Sequence, residues 1–396
     1  MGKITGLNSS LRLLLVVVLI YNLAIWLDLV TTLNYWGFAQ NSTPLGLGVL
    51  VMSFSGSMGI AGTLLNGHIR KGYRFMLVIA SVGCAVGIAV YPLFSSLATG
   101  IIPILLKGGL IGLMAATHNA CMERLSEEDE FKKVDNTFEW WAAVMKFAGP
   151  LVAVMVVSDK SWAFSIHMSS ALYVFAAVAA LFLPRIIGEE ASAHKESKAE
   201  QNLEPSYLVL GLVVLGAMSF FVTVGDSQLV VLFRDIYMWT NAVPVALVMA
   251  SAGIGTFLVR LWKESPNSSS LSIVWVGISC GALAVVFLIL TRGIMAEIPL
   301  IWLLLLFLVA GGFWQTGFMS FLRKIADNTA FAATFGLVMA STYILGPLFG
   351  GAGVSMLGIY QVFSIAGLCL LGFAVVFGVV YASRQARSSK IKAKRG

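Results

Sequence analysis

Residues 134–157, VDNTFEWWAAVMKFAGPLVAVMVV, and residues 331–354, FAATFGLVMASTYILGPLFGGAGV, decide the fold. Each is an apolar run with a Gly-Pro pair inside it, Gly149-Pro150 in the first and Gly346-Pro347 in the second. The step from Pro150 to Pro347 is 197 positions. The same step carries Leu50-Val51-Met52 onto Leu247-Val248-Met249, and Asp28 stands 198 positions before Asp226, both acids lying inside apolar runs. A repeat of this length is far beyond the roughly 20–50 residues of solenoid units. It has the size of a bundle of about six membrane-spanning helices, and duplicated bundles are how many secondary transporters are built.

The 396 residues are 58% hydrophobic and 11% charged, against about 25% charged in soluble domains. A spanning helix needs about 20 mostly apolar residues, because an unpaired backbone group is prohibitively costly in hydrocarbon. Runs of that kind fall at 11–36, 44–65, 75–94, 101–122, 134–157 and 162–183, then at 207–233, 242–262, 271–290, 300–322, 331–354 and 359–381. The expected fold is therefore an all-α membrane protein of twelve helices in two pseudo-symmetric six-helix bundles. Residues 1–184 form the first bundle, 185–205 a polar linker, 206–383 the second bundle and 384–396 a basic tail.

Lys and Arg set the orientation. With both termini in the cytoplasm, 21 of the 26 basic residues fall on that side; Lys160, Arg234 and Arg292 lie outside, and Lys107 and Lys146 within helices. The net charge of +7 then reflects topology and contact with anionic lipid, not nucleic acid. The first apolar run has no small-residue cleavage pattern and reads as a retained helix. Cys84, Cys121, Cys280 and Cys369 stand singly, so no metal or redox pair is expected. His68, His118, His167 and His194 form no ligand cluster, and no phosphate loop or nucleophile elbow is present. No enzyme activity, cofactor or metal is expected; energy must come from an ion or substrate gradient.

The loop between the second and third runs reads GTLLNGHIRKGYR from Gly62 to Arg74. It resembles the Gly-x-Leu-x-Asp-Arg-x-Gly-Arg-Arg loop of the major facilitator superfamily. Gly62, Leu64 and the basic pair Arg70-Lys71 match, while Asn66 replaces the acid that helps hold the cytoplasmic gate in that family. The fourth run carries Lys107 where the family usually has Arg, and Gly149-Pro150 alone matches the antiporter motif of the fifth. Residues 119–131, NACMERLSEEDEF, are similar to the helix 4–5 junction of the macrolide-efflux and siderophore-exporter branch. That resemblance implies a monomer in the bacterial inner membrane, exporting a siderophore- or drug-like molecule by proton antiport. Two other readings stay open: an uptake permease for a nutrient or organic anion, and a lipid-handling or sensory membrane protein.

Charges inside a membrane are costly and carry the mechanism. A carboxyl group in low dielectric favours its neutral form, so Asp28 could bind a proton on one side and release it on the other. Equally, it could be the fixed partner of a buried Lys. Asp226 and Glu139 are the further proton-coupling candidates. Lys107 and Lys146 could pair with Asp28 and Glu139, or hold an anionic substrate. Aromatic rings beside a few polar groups suit a pocket for an amphipathic molecule. Such a lining is offered by Tyr21, Asn22, Trp26, Asn119, Trp314, Gln315 and Tyr343. Trp140 and Trp141 taken singly suit interface anchors. Pro bends a helix and Gly permits close packing, so Gly149-Pro150 and Gly346-Pro347 mark the seam on which two halves would rock, with Gly62, Asn66, Arg70 and Lys71 at the gate.

Overall fold

The computed structural model describes residues 7–65, 68–69, 71–94, 96–126, 131–158, 161–184, 205–263, 274–291, 299–325 and 329–393. Asn66, Arg70 and residues 185–204 of the expected linker lie outside them. Among the described residues twelve long helices follow one another. They are α1 (Ser9–Leu33), α2 (Pro44–Leu65), α3 (Tyr73–Ala89), α4 (Leu97–Leu125), α5 (Phe131–Val157) and α6 (Trp162–Leu181), then α7 (Pro205–Asp226), α8 (Val243–Lys263), α9 (Val274–Thr291), α10 (Leu300–Ile325), α11 (Thr329–Leu357) and α12 (Ile359–Ala393). Eleven are long and apolar enough to span a bilayer, and α3 adds an apolar helix of 17 residues, at the short end of the spanning range. Large apolar side chains such as Phe75, Leu106, Met155, Phe182 and Phe349 stand exposed on the outside of the bundle. In water such a surface would aggregate; in lipid it costs nothing. The chain is an integral membrane protein.

Local chemistry sets the helix ends. Asn8 caps α1 by accepting from the Leu11 amide at 2.8 Å, and Thr43 caps α2 with Pro44 in its first turn; both supply an acceptor where helical donors have none. The third helix stops earlier than expected, at Ala89, and Tyr91–Leu93 forms a 3-10 turn around Pro92. The fourth is longer, since Pro103 is accommodated in its second turn. The last helix runs to Ala393, so the basic tail begins as a continuation of α12. Nothing between 384 and 393 is Gly or Pro, and Arg, Lys, Gln and Ala are good helix formers.

The internal repeat extends to the backbone. After α1 comes a π-helical segment, Asn34–Ala39, and α7 passes through Leu229–Val231 into another, Leu232–Ile236. The only described non-glycine residues with positive φ are Asn41 (47°) and Met238 (57°), 197 positions apart. For Met this left-handed conformation is unfavourable, so the surrounding turn holds it there.

Within the first six helices α1 packs on α5 and α6, α3 on α4 and α6, and α2 on α4; within the last six α7 packs on α11, α8 on α10, and α9 on α10 and α12. Two seams join the sets, α5 against α8 and α2 against α11. Both depend on glycine: a Cβ at Gly253 would strike the Lys146 backbone, and one at Gly48 the Pro347 backbone.

Candidate transport site

A cavity of about 370 Å³ lies among these helices, walled by α1, α2, α5 and all of α7 to α12. Of the residues singled out from the sequence, Trp26, Lys146, Asp226, Trp314, Tyr343 and Pro347 line it. Ser55, Thr223 and Thr256 add hydroxyls that sequence reading passed over, because Ser and Thr are common throughout the chain. The remaining wall is apolar. Gly149 explains how α1 comes so near α5: a side chain there would collide with Trp26. Gly346 does the same for α11 against Thr223 of α7. Lys146 and Asp226 are exposed to the cavity. Among the described residues neither makes an ion pair, and neither side chain is hydrogen-bonded.

Asp28 is in a different environment. It is fully buried within the first six helices, with Lys107 Nζ donating to its Oδ1 at 2.5 Å and the Tyr173 hydroxyl to its Oδ2 at 2.9 Å. Thr32 donates to Oδ1 at 3.0 Å, and Lys107 also donates to Thr32 at 3.2 Å and to the Tyr91 hydroxyl. The ammonium group further lies 4.6 Å from the Tyr91 ring centre and 5.4 Å from that of Phe54, so aromatic faces complete its surroundings. Every charge here is matched and nothing opens to the cavity. Sequence reading left Asp28 open between coupling carboxylate and fixed partner of a buried Lys; the pairing with Lys107 is the arrangement found. Lys107 is accordingly not a cavity residue.

Other expectations are corrected. Glu139 does not meet Lys146 but takes Arg260 of α8 at 2.9 Å, half exposed, in the first turns of α5. Arg260 also donates to the Asn136 side-chain oxygen at 2.9 Å. Tyr21 turns away from the cavity to His118 Nδ1 at 2.6 Å, and Asn22 donates to the Val18 carbonyl. Asn119 is exposed on α4, and Gln315 lies outside the lining. Trp140 packs edge-on against Trp141 and against Phe257 of α8, which makes it part of the α5–α8 seam and not a lone interface anchor. Gly62 lies against Gly112 of α4, and Lys71 is exposed.

The opposite end is also tied across the halves. Arg234 donates to the carbonyls of Gly37 and Ser42 at 2.7 and 2.9 Å, and its guanidinium is steadied by Asp235. The Ala242 amide donates to Asn34 Oδ1 at 3.0 Å, and Gln228 to the Pro44 carbonyl at 3.4 Å. The cavity thus lies between two polar closures, one at each end, both crossing from the first six helices to the last six.

No family model matches the chain, and no curated protein matches it in sequence. Solved structures do match in fold. The nucleoside transporter NupG superposes with a TM-score of 0.68 at 15% identity, covering 94% of this chain and 99% of that one. A point mutant of it gives 0.65 at 14% identity with the same coverage. The chain shares the fold of that protein. At this identity the likeness extends to the fold alone. It adds nothing to the likeness of residues 119–131 to an exporter branch.

Proposed function

We propose that this chain is a secondary transporter working by alternating access, taking up a small nutrient-class solute together with protons. Two six-helix halves, 1–184 and 206–383, rock about the α5–α8 and α2–α11 seams and open the cavity to each side in turn. The observation that carries this reading is the central cavity itself, faced by a cation from one half and a carboxylate from the other, neither in an ion pair among the described residues. Both termini lie in the cytoplasm of a bacterial inner-membrane protein, placing Arg260–Glu139 at the inner closure and Arg234 at the outer one. The protein acts as a monomer surrounded by lipid.

Cavity size separates uptake of a small solute from export of a bulky one. About 370 Å³ is near the lower bound of the roughly 300–1,000 Å³ typical of ligand sites. That size suits a single small ring system with polar substituents better than a tri-catechol siderophore or a macrolide. Structural neighbours described as nucleoside transporters favour the nutrient reading in the same way. Of the three proton-coupling candidates only Asp226 faces the cavity, so coupling is assigned to Asp226, with Asp28 a structural partner of Lys107 and Glu139 a gate residue.

Proteoliposomes holding an internal pH dye test this. Labelled small ring solutes are added outside, uridine among the neutral ones and aromatic acids among the charged ones. At least one should enter as the interior acidifies, and an imposed inward proton gradient should drive its accumulation. Proton entry coupled to loss of a solute loaded inside would instead establish export.

A further inference from the structure

We infer that the cavity takes a planar organic monoanion held by Lys146 and carries it with one proton held by Asp226, so that it is electrically neutral both empty and loaded. The inference rests on the transporter reading and names the cargo of that same site. Lys146 on α5 and Asp226 on α7 are the only Lys, Arg, Asp or Glu side chains among the lining residues, and each is exposed to the cavity without an ion-pair partner among the described residues. The other charges acting on Lys146, Arg260 and Glu139, pair with one another at the inner closure, where Asp135 is a further acid beside them. Tyr343 of α11 is the titratable group that faces Asp226.

Charge balance then selects the cargo. Between membrane-spanning helices an uncompensated charge is costly. Empty, the cavity holds one positive and one negative charge. A neutral solute arriving with a proton on Asp226 would leave Lys146 unmatched. An anion arriving without a proton would leave one negative charge in excess. A neutral solute or a zwitterion without a proton would balance but would couple to no gradient. An anion with a proton balances and couples: a proton from the outer water bonds to an Asp226 carboxylate oxygen, and the anion meets the Lys146 ammonium. Inside, the proton returns to water and the anion leaves, restoring the Lys146–Asp226 balance for the empty return.

The walls select shape. Trp26 of α1 and Trp314 of α10 come from opposite halves and both line the cavity. Aromatic faces favour flat rings in stacked or edge-on contact. A flat ring bearing one carboxylate fits both demands.

The test uses the purified full chain and three matched pairs: nicotinate and nicotinamide, benzoate and benzamide, orotate and uracil. At least one acid is expected to bind tenfold or more tightly than its neutral partner. Lys146→Met should erase that preference while Lys146→Arg keeps it, and Asp226→Asn should bind the acid without moving protons. In proteoliposomes acid uptake should acidify the interior and ignore a potassium-diffusion potential. Equal binding of acid and neutral partner, an unaltered preference in Lys146→Met, or uptake that follows the potential overturns the inference. If no acid binds, the anion assignment falls. Uridine uptake with Asp226-dependent acidification in the same liposomes would then leave the transporter reading standing, and its absence would remove both.

Discussion

Asp28 and Asp226 stand at corresponding places in the two halves, 198 positions apart, yet one is sealed and the other faces the cavity. Asp28 meets Lys107, Thr32 and Tyr173, with Tyr91 completing the group around the ammonium. One repeat step beyond Lys107, Tyr91 and Tyr173 stand Leu304-Leu305, Leu288-Ile289 and Leu370-Leu371, none of which can donate a side-chain hydrogen bond. The second half therefore has the acid without its partners. A carboxylate with all its partners in place holds helices together; the same group stripped of them is left facing the cavity. The surroundings of a buried acid thus follow from its partner set and not from the acid itself.

The sharpest way to break the comparison is Lys107→Met. It strands Asp28 as a buried charge without a counterion, which costs about 3–5 kcal/mol. The unfolding temperature in detergent should fall steeply, and the double variant Asp28→Asn with Lys107→Met should recover much of the loss. A single variant as stable as the wild type would mean that the pair holds nothing together.

Tyr173→Phe comes next. It removes the 2.9 Å donor to Asp28, a charged hydrogen bond worth roughly 1.5–3 kcal/mol. Stability should drop while coupled uptake per folded molecule stays unchanged. Lost coupling would put Asp28 on the proton path and undo the contrast with Asp226.

Asp226→Asn should show the reverse pattern. Proton-coupled uptake should fall at least about tenfold, equivalent to ~1.4 kcal/mol, while the unfolding temperature stays at the wild-type value. An Asp226→Asn variant as unstable as Asp28→Asn would make the two acids alike.

The smallest effect is expected for Arg260→Ala at the inner closure. Its partner Glu139 is half exposed, so the pair contributes at most about 1 kcal/mol. The stability difference from wild type should shrink as salt is raised, since screening shortens to about 3 Å at 1 M. A difference insensitive to salt would show that Arg260 acts by packing.

The helices were legible in the sequence because an apolar run of spanning length is a property of neighbouring residues. Even so, their ends shifted where local chemistry intervened, as at Pro92 and in the Gly-free stretch after 383. The cavity was legible in part: Trp26, Lys146, Asp226, Trp314 and Tyr343 line it, while Tyr21, Asn22, Asn119 and Gln315 do not. Periodicity says that a residue is on a helix, but the rotation of that helix toward a cavity depends on its neighbours. The expected Glu139–Lys146 pair failed for a simpler reason. Seven residues of helix rise about 10.5 Å, too far for an ion pair, and Arg260 of α8 stood closer.

By itself the sequence determined the membrane class, the repeat spacing and the apolar helices, because hydropathy and spacing are linear properties of the chain. It also marked which charges needed a reason. Only the tertiary structure decided what each charge meets. Lys107 lies 79 positions from Asp28 and Lys146 lies 80 from Asp226, yet one pair is closed by contact and the other opens onto a cavity. That difference comes from which helices pack together and which faces they turn inward, and no spacing along one chain encodes it.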